Sequence, residues 1–488
     1  MIGGIKMTLY SALDKAFNPE TVAIVGVSSN DNEWHFDYTG LKFLHNLKSS
    51  GFKGRIYPIN PKAANDIEGM KVYPSLLSVP EPLDLVIITV KAAAVPKVLE
   101  DCIAVKAMDV HICTSGFGET GEAEDKMLEA RLWEIARSAG LRVCGPNGLG
   151  YHVPSAGMKM YDGPMMTGKV ALATQSGGCG QFFINQCAAR GMGVSKVISF
   201  GNALTLGATE YLEYLATDPQ TSIICMYLEG VNDGRKFIKL VRQINPVKPS
   251  IIWKGGLTES GARAVSTHTG SLAGDERIWD AFFKQTKAIR VASLEEMADA
   301  AMTFIKLKPF TGRRAAVFGG GGGGANVARG DICTAEGIEV PALSLNTRKK
   351  LMEFIPLVNQ SVMNPMDTPA LVHDNTILQK TLELLVVDPV IDVVIMNVAL
   401  DSLVYMEEKD RKSYEGLKKI IAKFTQENQT GKPLVIALLD QSNLGKSRYY
   451  ADQLREANIT VYESLRDACR ALNRFSRYHE FIQSLKIR

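Results

Sequence analysis

The sequence predicts an α/β protein built as three tandem αβα sandwich domains. Three observations carry that expectation. The chain has 488 residues, more than one ordinary domain holds and close to what three would need. Short apolar runs, too continuous for half-exposed strands, end in glycine or serine turns and alternate with helix-like segments. That pattern belongs to parallel sheets covered on both faces. Breakers divide the series: a loop-like stretch at 154–168, and Pro309 with Gly312 in "FIKLKPFTG" (304–312). The expected units are 1–153, 154–305 and 306–488.

In the first unit, "TVAIVGVSS" (21–29) reads as a strand and turn followed by the amphipathic "GLKFLHNLKSSG" (40–51). "RIYPINP" (55–61), "LDLVIITV" (83–90) and "DVHICTSGF" (109–117) are the next strands, and the unit closes with "LRVCGPNGLGYHV" (141–153). The second unit takes its strands from "KVALATQSGG" (169–178), "VSKVISFGNA" (194–203), "SIICMYLEG" (222–230), "SIIWKGG" (250–256) and "AIRVAS" (288–293). "GCGQFFINQCAARG" and "DGRKFIKLVRQI" are helices between them. The third opens with "RRAAVFGGGGGGANVARGD" (313–331) and continues with strands in "VIDVVIMNVAL" (390–400), "KPLVIALLD" (432–440) and "ITVYES" (459–464). An amphipathic helix, "SLRDACRALNRFSRYHEFIQSL", ends it.

Composition narrows the function classes. With 55 basic and 52 acidic residues the net charge is +3, and no basic run interleaves with aromatics, so nucleic-acid binding is not expected. The eight cysteines include no C-x-x-C pair, which argues against a zinc site or a disulfide framework and for reduced thiols. No metal site is expected. "MIGGIKMTLYSALDKAF" lacks the charged and apolar regions of a secretion signal, and no apolar run reaches the ~20 residues of a spanning helix. A cytoplasmic protein without membrane contact is the expectation.

Two strand-to-helix turns stand out, and each reads either as a ligand cradle or as a tight turn at the carboxyl edge of a sheet without a ligand. One is "LATQSGGCGQFF" (172–183), with Ser176 placed to cap and glycines at 177, 178 and 180. The other has six consecutive glycines at 319–324. Glycine lets the backbone approach a ligand closely, and the following helix N-terminus suits phosphate. Neither turn is G-x-x-x-x-G-K-[ST], and "VGVSSN" (25–30) is not the dinucleotide fingerprint, so a P-loop hydrolase and an NAD enzyme are both disfavoured. His268 stands in "STHTGSLAG" (266–274), among residues small enough for a phosphate to reach the ring. A largely neutral imidazole can attack a phosphoryl group.

The ordered blocks "YPINPK", "CTSGFGE", "CGPNGLG", "TQSGGCG", "YLEGVNDGRKF", "STHTGSLAG" and "NPMDTPA" (364–370) extend over nearly the whole chain. Together they resemble the NDP-forming acyl-CoA synthetases of the succinyl-CoA synthetase superfamily, especially alpha subunits of ADP-forming acetyl-CoA synthetase. The resemblance implies a Rossmann-like CoA-binding domain followed by two flavodoxin-like CoA-ligase domains. It implies that His268 is the phosphorylated residue and that Glu229 orients it. Two helix N-termini would hold the phosphate, one at Ser176, Gly177 and Gly178, the other at Gly321, Gly322, Gly323 and Gly324. Block position places Gly26, Ser28, Lys62, Val90, Lys91, Ser115, Gly116 and Asn147 around CoA. Val90–Lys91 stands where many relatives have valine-proline, and Leu257 where they often have a basic residue. The segment "NDNEWHFDYTG" (30–40) is longer and more aromatic than usual.

The implied reaction interconverts acyl-CoA, phosphate and ADP with carboxylic acid, CoA and ATP through acyl phosphate and phosphohistidine. Its nucleotide step needs an ATP-grasp module of which no segment is visible here. A separate ATP-grasp beta subunit, bringing ATP or ADP with Mg and forming a heterotetramer, is therefore implied. The substrate would be a small carboxylic acid of unspecified structure. The alternative is a CoA- or acyl-CoA-binding regulatory protein without turnover.

Overall fold

A computed structural model of the chain describes residues 7–28, 39–62, 66–268, 274–428, 430–439 and 445–486. The chain divides into two compact units, Met1–Ala188 with Met192–Met297, and Ala189–Gly191 with Ala298–Arg488. The division falls within the helix Leu294–Lys306, ahead of the breakers Pro309 and Gly312.

The first unit holds two large sheets. The first sheet contains β1 (Thr21–Val25) and β2 (Arg55–Ile59). A small antiparallel hairpin of β3 (Asp66–Ile67) and β4 (Met70–Lys71) follows, and then β5 (Leu85–Ile88), β6 (Asp109–Ile112) and β7 (Arg142–Cys144). Its order is β2-β1-β5-β6-β7, all parallel. The second sheet contains β8 (Gly150–His152), β9 (Thr167–Thr174), β10 (Val194–Ser199), β11 (Ile223–Leu228), β12 (Ser250–Lys254) and β13 (Ile289–Val291), in the order β13-β12-β11-β9-β10-β8. Only β8 runs antiparallel, on the edge beside β10. The stretch 141–153, read as the close of the first unit, is thus shared between the sheets.

The second unit holds one large sheet. Its strands are β14 (Ala315–Gly319), β15 (Met366–Asp367), β16 (Val393–Ala399), β17 (Leu434–Leu439) and β18 (Val461–Tyr462), in the order β15-β14-β16-β17-β18. Among the described strands, β3, β4, β7, β8 and β15 were not named as strands in the sequence reading. Each is three residues or shorter, too short for an apolar run to announce it.

Every expected long strand is present, and the reason is burial. β1, β5, β14 and β16 are buried at every position, so their sequences read as near-continuous apolar runs, and β6 is wholly buried too although Asp109 and His111 alternate with its apolar residues. The helices show the complementary pattern. In Gly234–Ile244, Asp233 caps the first turn by accepting from the Lys236 N–H at 2.9 Å, and Phe237, Leu240, Val241 and Ile244 form the buried stripe. Glu276–Thr286 repeats the design, with Asp275 as cap and Trp279, Phe282, Phe283 and Thr286 buried.

Leaving out edge strand β8, each large sheet has its first strand between its second and third. This arrangement opens a crevice at the carboxyl ends of the strands where the winding reverses, the usual place for a ligand. The two sheets of the first unit meet through aromatic packing. Phe17 lies with its ring 4.7 Å from Tyr151 and 4.5 Å from Tyr214, Tyr151 and Tyr211 share a hydrogen bond of 3.1 Å, and Phe43 meets His111 edge-on. No helix among the described residues is long and apolar enough to cross a membrane.

Candidate active site

The residues expected around CoA all stand at the carboxyl edge of the first sheet. Gly26 follows β1 with φ +105°, and a Cβ there would meet Thr89 Oγ1 at 2.8 Å. A Cβ on Gly40, the first residue of the helix Gly40–Ser49, would come within 2.9 Å of the Gly26 backbone. Both glycines are needed for the helix N-terminus to sit on the turn. Ser28 is half-buried and Lys62 is exposed. Asn60 fastens the turn after β2: its Nδ2 donates to Val27 O at 2.8 Å, and its Oδ1 accepts from the Lys62 N–H at 2.9 Å. Val90 is half-buried and Lys91 exposed, and the Thr114 hydroxyl donates to Val90 O at 2.7 Å. Asn147, at φ +57°, donates its N–H to Thr114 O at 2.9 Å.

Ser115 is exposed and Gly116 half-buried. The Gly116 N–H donates to Glu119 Oε1 at 2.6 Å, so that donor is already engaged within the loop. The segment 29–38, most of the long aromatic insertion, lies outside the described residues.

The second sheet holds a buried carboxylate at its own reversal point. Glu229 follows β11 and is 2% exposed. Gln175, at the end of neighbouring β9, accepts at Oε1 from the N–H of Glu229 at 2.6 Å and from that of Gly230 at 2.9 Å. The crevice between the two strands is therefore bridged by one amide. Tyr227 donates its hydroxyl to Glu229 Oε1 at 3.1 Å. Burial raises the Tyr227 phenol well above its ordinary value, and the Glu229 charge adds to it, so the phenol stays a donor. Lys254, at the end of β12, is 5% exposed and lies 5.5 Å from the Trp279 ring centre. Burial lowers its pKa and the Glu229 charge opposes the fall.

The helix Gly177–Ala189 starts beside this carboxylate. Ser176 Oγ accepts from the Cys179 N–H at 3.5 Å, and the Cys179 thiol, raised chiefly by burial, also senses the Glu229 charge. The glycines divide by role. A Cβ on Gly177 would meet Leu149 at 2.7 Å, and Gly180 is packed against Tyr161, whereas Gly178 is exposed and a Cβ there would meet nothing nearer than Ser176 Oγ at 4.0 Å. Gly178 is the one of the three free to meet a ligand.

A cavity of about 650 Å³ adjoins Glu229 and Lys254, walled by Phe237, Trp279 and Phe282 from the two capped helices. The Phe237 and Phe282 rings stack 5.6 Å apart. His268 is the last residue of the helix Glu259–His268. Its side chain and residues 269–273 lie outside the described part of the structure.

In the second unit, the glycine run ends β14 and opens the helix Gly322–Ala335. Gly321 and Gly322 have φ +109° and +77°, and nothing lies within 4 Å of a Cβ placed on Gly322, Gly323 or Gly324. All four are exposed. Below them Arg329, 1% exposed, donates to Asn397 Oδ1 at 3.0 Å and to Gly320 O. Burial lowers its pKa and Asp367 opposes the change. A fourteen-residue helix with an open glycine first turn is suited to an anion.

Gln175, Tyr227, Lys254 and Arg329 were not singled out from sequence. All four lie inside quoted stretches, "TQSGGCG", "YLEGVNDGRKF", "SIIWKGG" and "RRAAVFGGGGGGANVARGD". The signal was present, but which motif side chain turns inward depends on the pleat.

Comparison with known proteins gives a consistent likeness. Residues 20–154 match the CoA binding domain family and residues 167–304 the succinyl-CoA ligase like flavodoxin domain. The alpha subunit of ADP-forming acetate–CoA ligase II from Pyrococcus furiosus is 33% identical over 461 residues, covering 94% of this chain and 96% of the relative. ADP-forming acetate–CoA ligase I from Archaeoglobus fulgidus is 35% identical over 357 residues, 73% of this chain, and the match spans half the length of that relative. Among solved structures, acetyl-coenzyme A synthetase 1 from Korarchaeum cryptofilum, in complex with phosphate and ADP, superposes with a TM-score of 0.81 at 29% identity, covering 97% of this chain and 98% of the other.

Proposed function

The chain belongs to the ADP-forming acyl-CoA synthetase family, and from that premise we propose that it is the CoA-binding, histidine-phosphorylated alpha subunit of such a ligase. One observation supports this reading above the others. A buried carboxylate, Glu229, is held by Gln175 and Tyr227 beside an open helix N-terminus, on the sheet whose later helix ends at His268.

In this reading phosphate displaces CoA from acyl-CoA and gives acyl phosphate. A ring nitrogen of His268 attacks phosphorus, the bond to the acyl oxygen breaks, and the carboxylate leaves. Glu229 accepts a hydrogen bond from the proton-bearing nitrogen of the ring, fixing the tautomer and stabilising the positive charge as the other nitrogen bonds phosphorus. The open turn at Gly178 and, in the second unit, that at Gly321–Gly324 each offer N–H donors suited to phosphoryl oxygens. The phosphoryl group then passes to ADP on a separate ATP-grasp subunit, which would hold nucleotide and Mg in a heterotetramer.

CoA would lie along the carboxyl edge of the first sheet, with Gly26, Ser28, Val90, Ser115 and Asn147 lining it and Lys62 and Lys91 as exposed cations for its phosphates. The tight Gly26–Gly40 approach fits a diphosphate brought close to a helix N-terminus. The three proposed domains are 1–153, 154–305 and 306–488. A cytoplasmic location accompanies the proposal.

Incubation with an ATP-grasp partner and labelled ATP tests the reading. Acid-labile, alkali-stable label is expected on the unsubstituted chain and not on His268→Ala. Label persisting on His268→Ala removes the phosphocarrier role, and no label on the unsubstituted chain favours a binding protein without turnover.

A further inference from the structure

The loop at 114–120 faces the proposed CoA edge, yet its backbone donors turn inward onto two carboxylates. The Gly116 N–H donates to Glu119 Oε1 at 2.6 Å and the Phe117 N–H to both Glu119 oxygens at 3.2 Å. The Gly118 N–H donates to Glu129 Oε2 at 3.1 Å. Glu119 Oε2 and Glu129 Oε2 are in turn joined by a single nitrogen, Asn202 Nδ2, at 2.7 Å from each. With an acceptor on both contacts, the amide must present its NH₂ there. Two carboxylates repel unless donors stand between them, so the loop's shape depends on that one amide.

Asn202 comes from the other sheet, on the loop after β10. Its backbone N–H donates to Pro146 O at 3.0 Å, and the Leu204 N–H to Gly145 O at 2.9 Å. The "CTSGFGE", "CGPNGLG" and "SFGNA" loops therefore close on one node. The Gly118–Thr120 turn also packs against Glu259–His268, the helix that ends at the proposed phosphocarrier. A Cβ on Gly118 would meet Glu129 Oε1 at 2.8 Å, so the turn leaves no slack.

We propose that Glu119, Glu129 and Asn202 are positioning residues that lock the CoA-side loop to the helix bearing His268, so that CoA binding and histidine phosphorylation depend on the same hydrogen-bonded node. The inference rests on the functional reading above. None of the three touches a reacting atom. They act by fixing Ser115 at the CoA edge and the Gly118–Thr120 turn against the helix.

The test uses the full chain with Asn202→Ala, and Asn202→Ala combined with Glu129→Gln. The first removes the shared donor. The second removes one of the two charges that the lost donor had kept from repelling, while the introduced amide oxygen can still accept from the Gly118 N–H. Calorimetry with CoA and labelling of His268 by labelled ATP with an ATP-grasp partner are both read, alongside the melting temperature. Asn202→Ala should weaken CoA binding and slow labelling, each about ten-fold or more, because displacement of a positioned group by an ångström has effects of that order or larger. The double variant should recover both toward the unsubstituted values. Loss of one readout without the other, no loss in either, or no recovery in the double variant overturns the proposal. Should Asn202→Ala fail to fold, Glu129→Gln alone, which keeps an acceptor for Gly118, is expected to leave both readouts near normal, and a large loss in only one overturns it. An unsubstituted chain that takes no label removes the functional reading itself, and this inference with it.

Discussion

Glu229 owes its proposed usefulness to a neighbour that the chemistry never touches. Gln175 accepts two backbone N–H groups across the strand crevice. Replacing it with leucine takes the acceptor from a buried donor at Glu229 and a half-buried one at Gly230, at about 1–3 kcal/mol for a donor stranded in the interior. Gln175→Leu should therefore slow labelling of His268 as much as Glu229→Gln does while leaving CoA affinity unchanged in calorimetry. Equal labelling by Glu229→Gln and the unsubstituted chain would show that the carboxylate orients nothing. A second residue-scale consequence concerns His152, whose two ring nitrogens are buried without a partner. Burial pushes its pKa down to about 4 from 6.5. The unfolded chain thus binds the extra proton first as pH falls, so the stability tied to neutral His152 is complete above about 6.5 and lost toward 4. His152→Phe, which keeps a ring against Tyr161, should flatten that acid limb in thermal melts between about pH 7 and 4. An unchanged limb would place the acid sensitivity elsewhere, His111 being the other buried histidine lowered to about 4.

At the scale of elements, a strand leading into a glycine turn and a helix recurs, with the glycines serving different ends. Gly177 and Gly180 are glycine because Leu149 and Tyr161 leave no room for a side chain, which is a tertiary fact. Gly323 and Gly324 meet nothing, and that is where stability and function should separate. Alanine at Gly323 favours the helix by about 0.5–1 kcal/mol, so Gly323→Ala should raise the melting temperature. The added methyl stands where the phosphate is proposed to approach, so phosphohistidine formation should slow. A variant that is more stable and equally active would remove this turn from the phosphate site. The sequence made both turns visible as glycine-rich. It could not sort packing glycines from open ones, because that depends on residues far along the chain.

At the scale of the whole molecule, the first two sheets form one compact unit. The reason is on their shared face: Phe17, Tyr151, Tyr211 and Tyr214 are all buried there, and β8 leaves the first segment to join the second sheet. A fragment ending at 153 would lose Tyr211 and Tyr214, and would so expose Phe17 and Tyr151 and leave β8 unpaired. Residues 1–297 are expected to melt cooperatively, whereas 1–153 should melt lower and aggregate, as read by circular dichroism and light scattering. A fragment 1–153 as stable as 1–297 would show that the aromatic face contributes little. Continuous apolar runs, the two glycine turns with Ser176 ahead of one, and the order of the motif blocks were legible in the sequence. They predicted three sheets in series, and the resemblance the blocks carry implied His268 and Glu229, because strand burial and motif order are local or additive along the chain. Only the tertiary structure decided that the Gly116 donor is already engaged, that Gln175 clasps Glu229, and that Asn202 joins two glutamates 83 and 73 residues away. Those are contacts between distant segments, and their geometry exists only once the sheets have closed on one another.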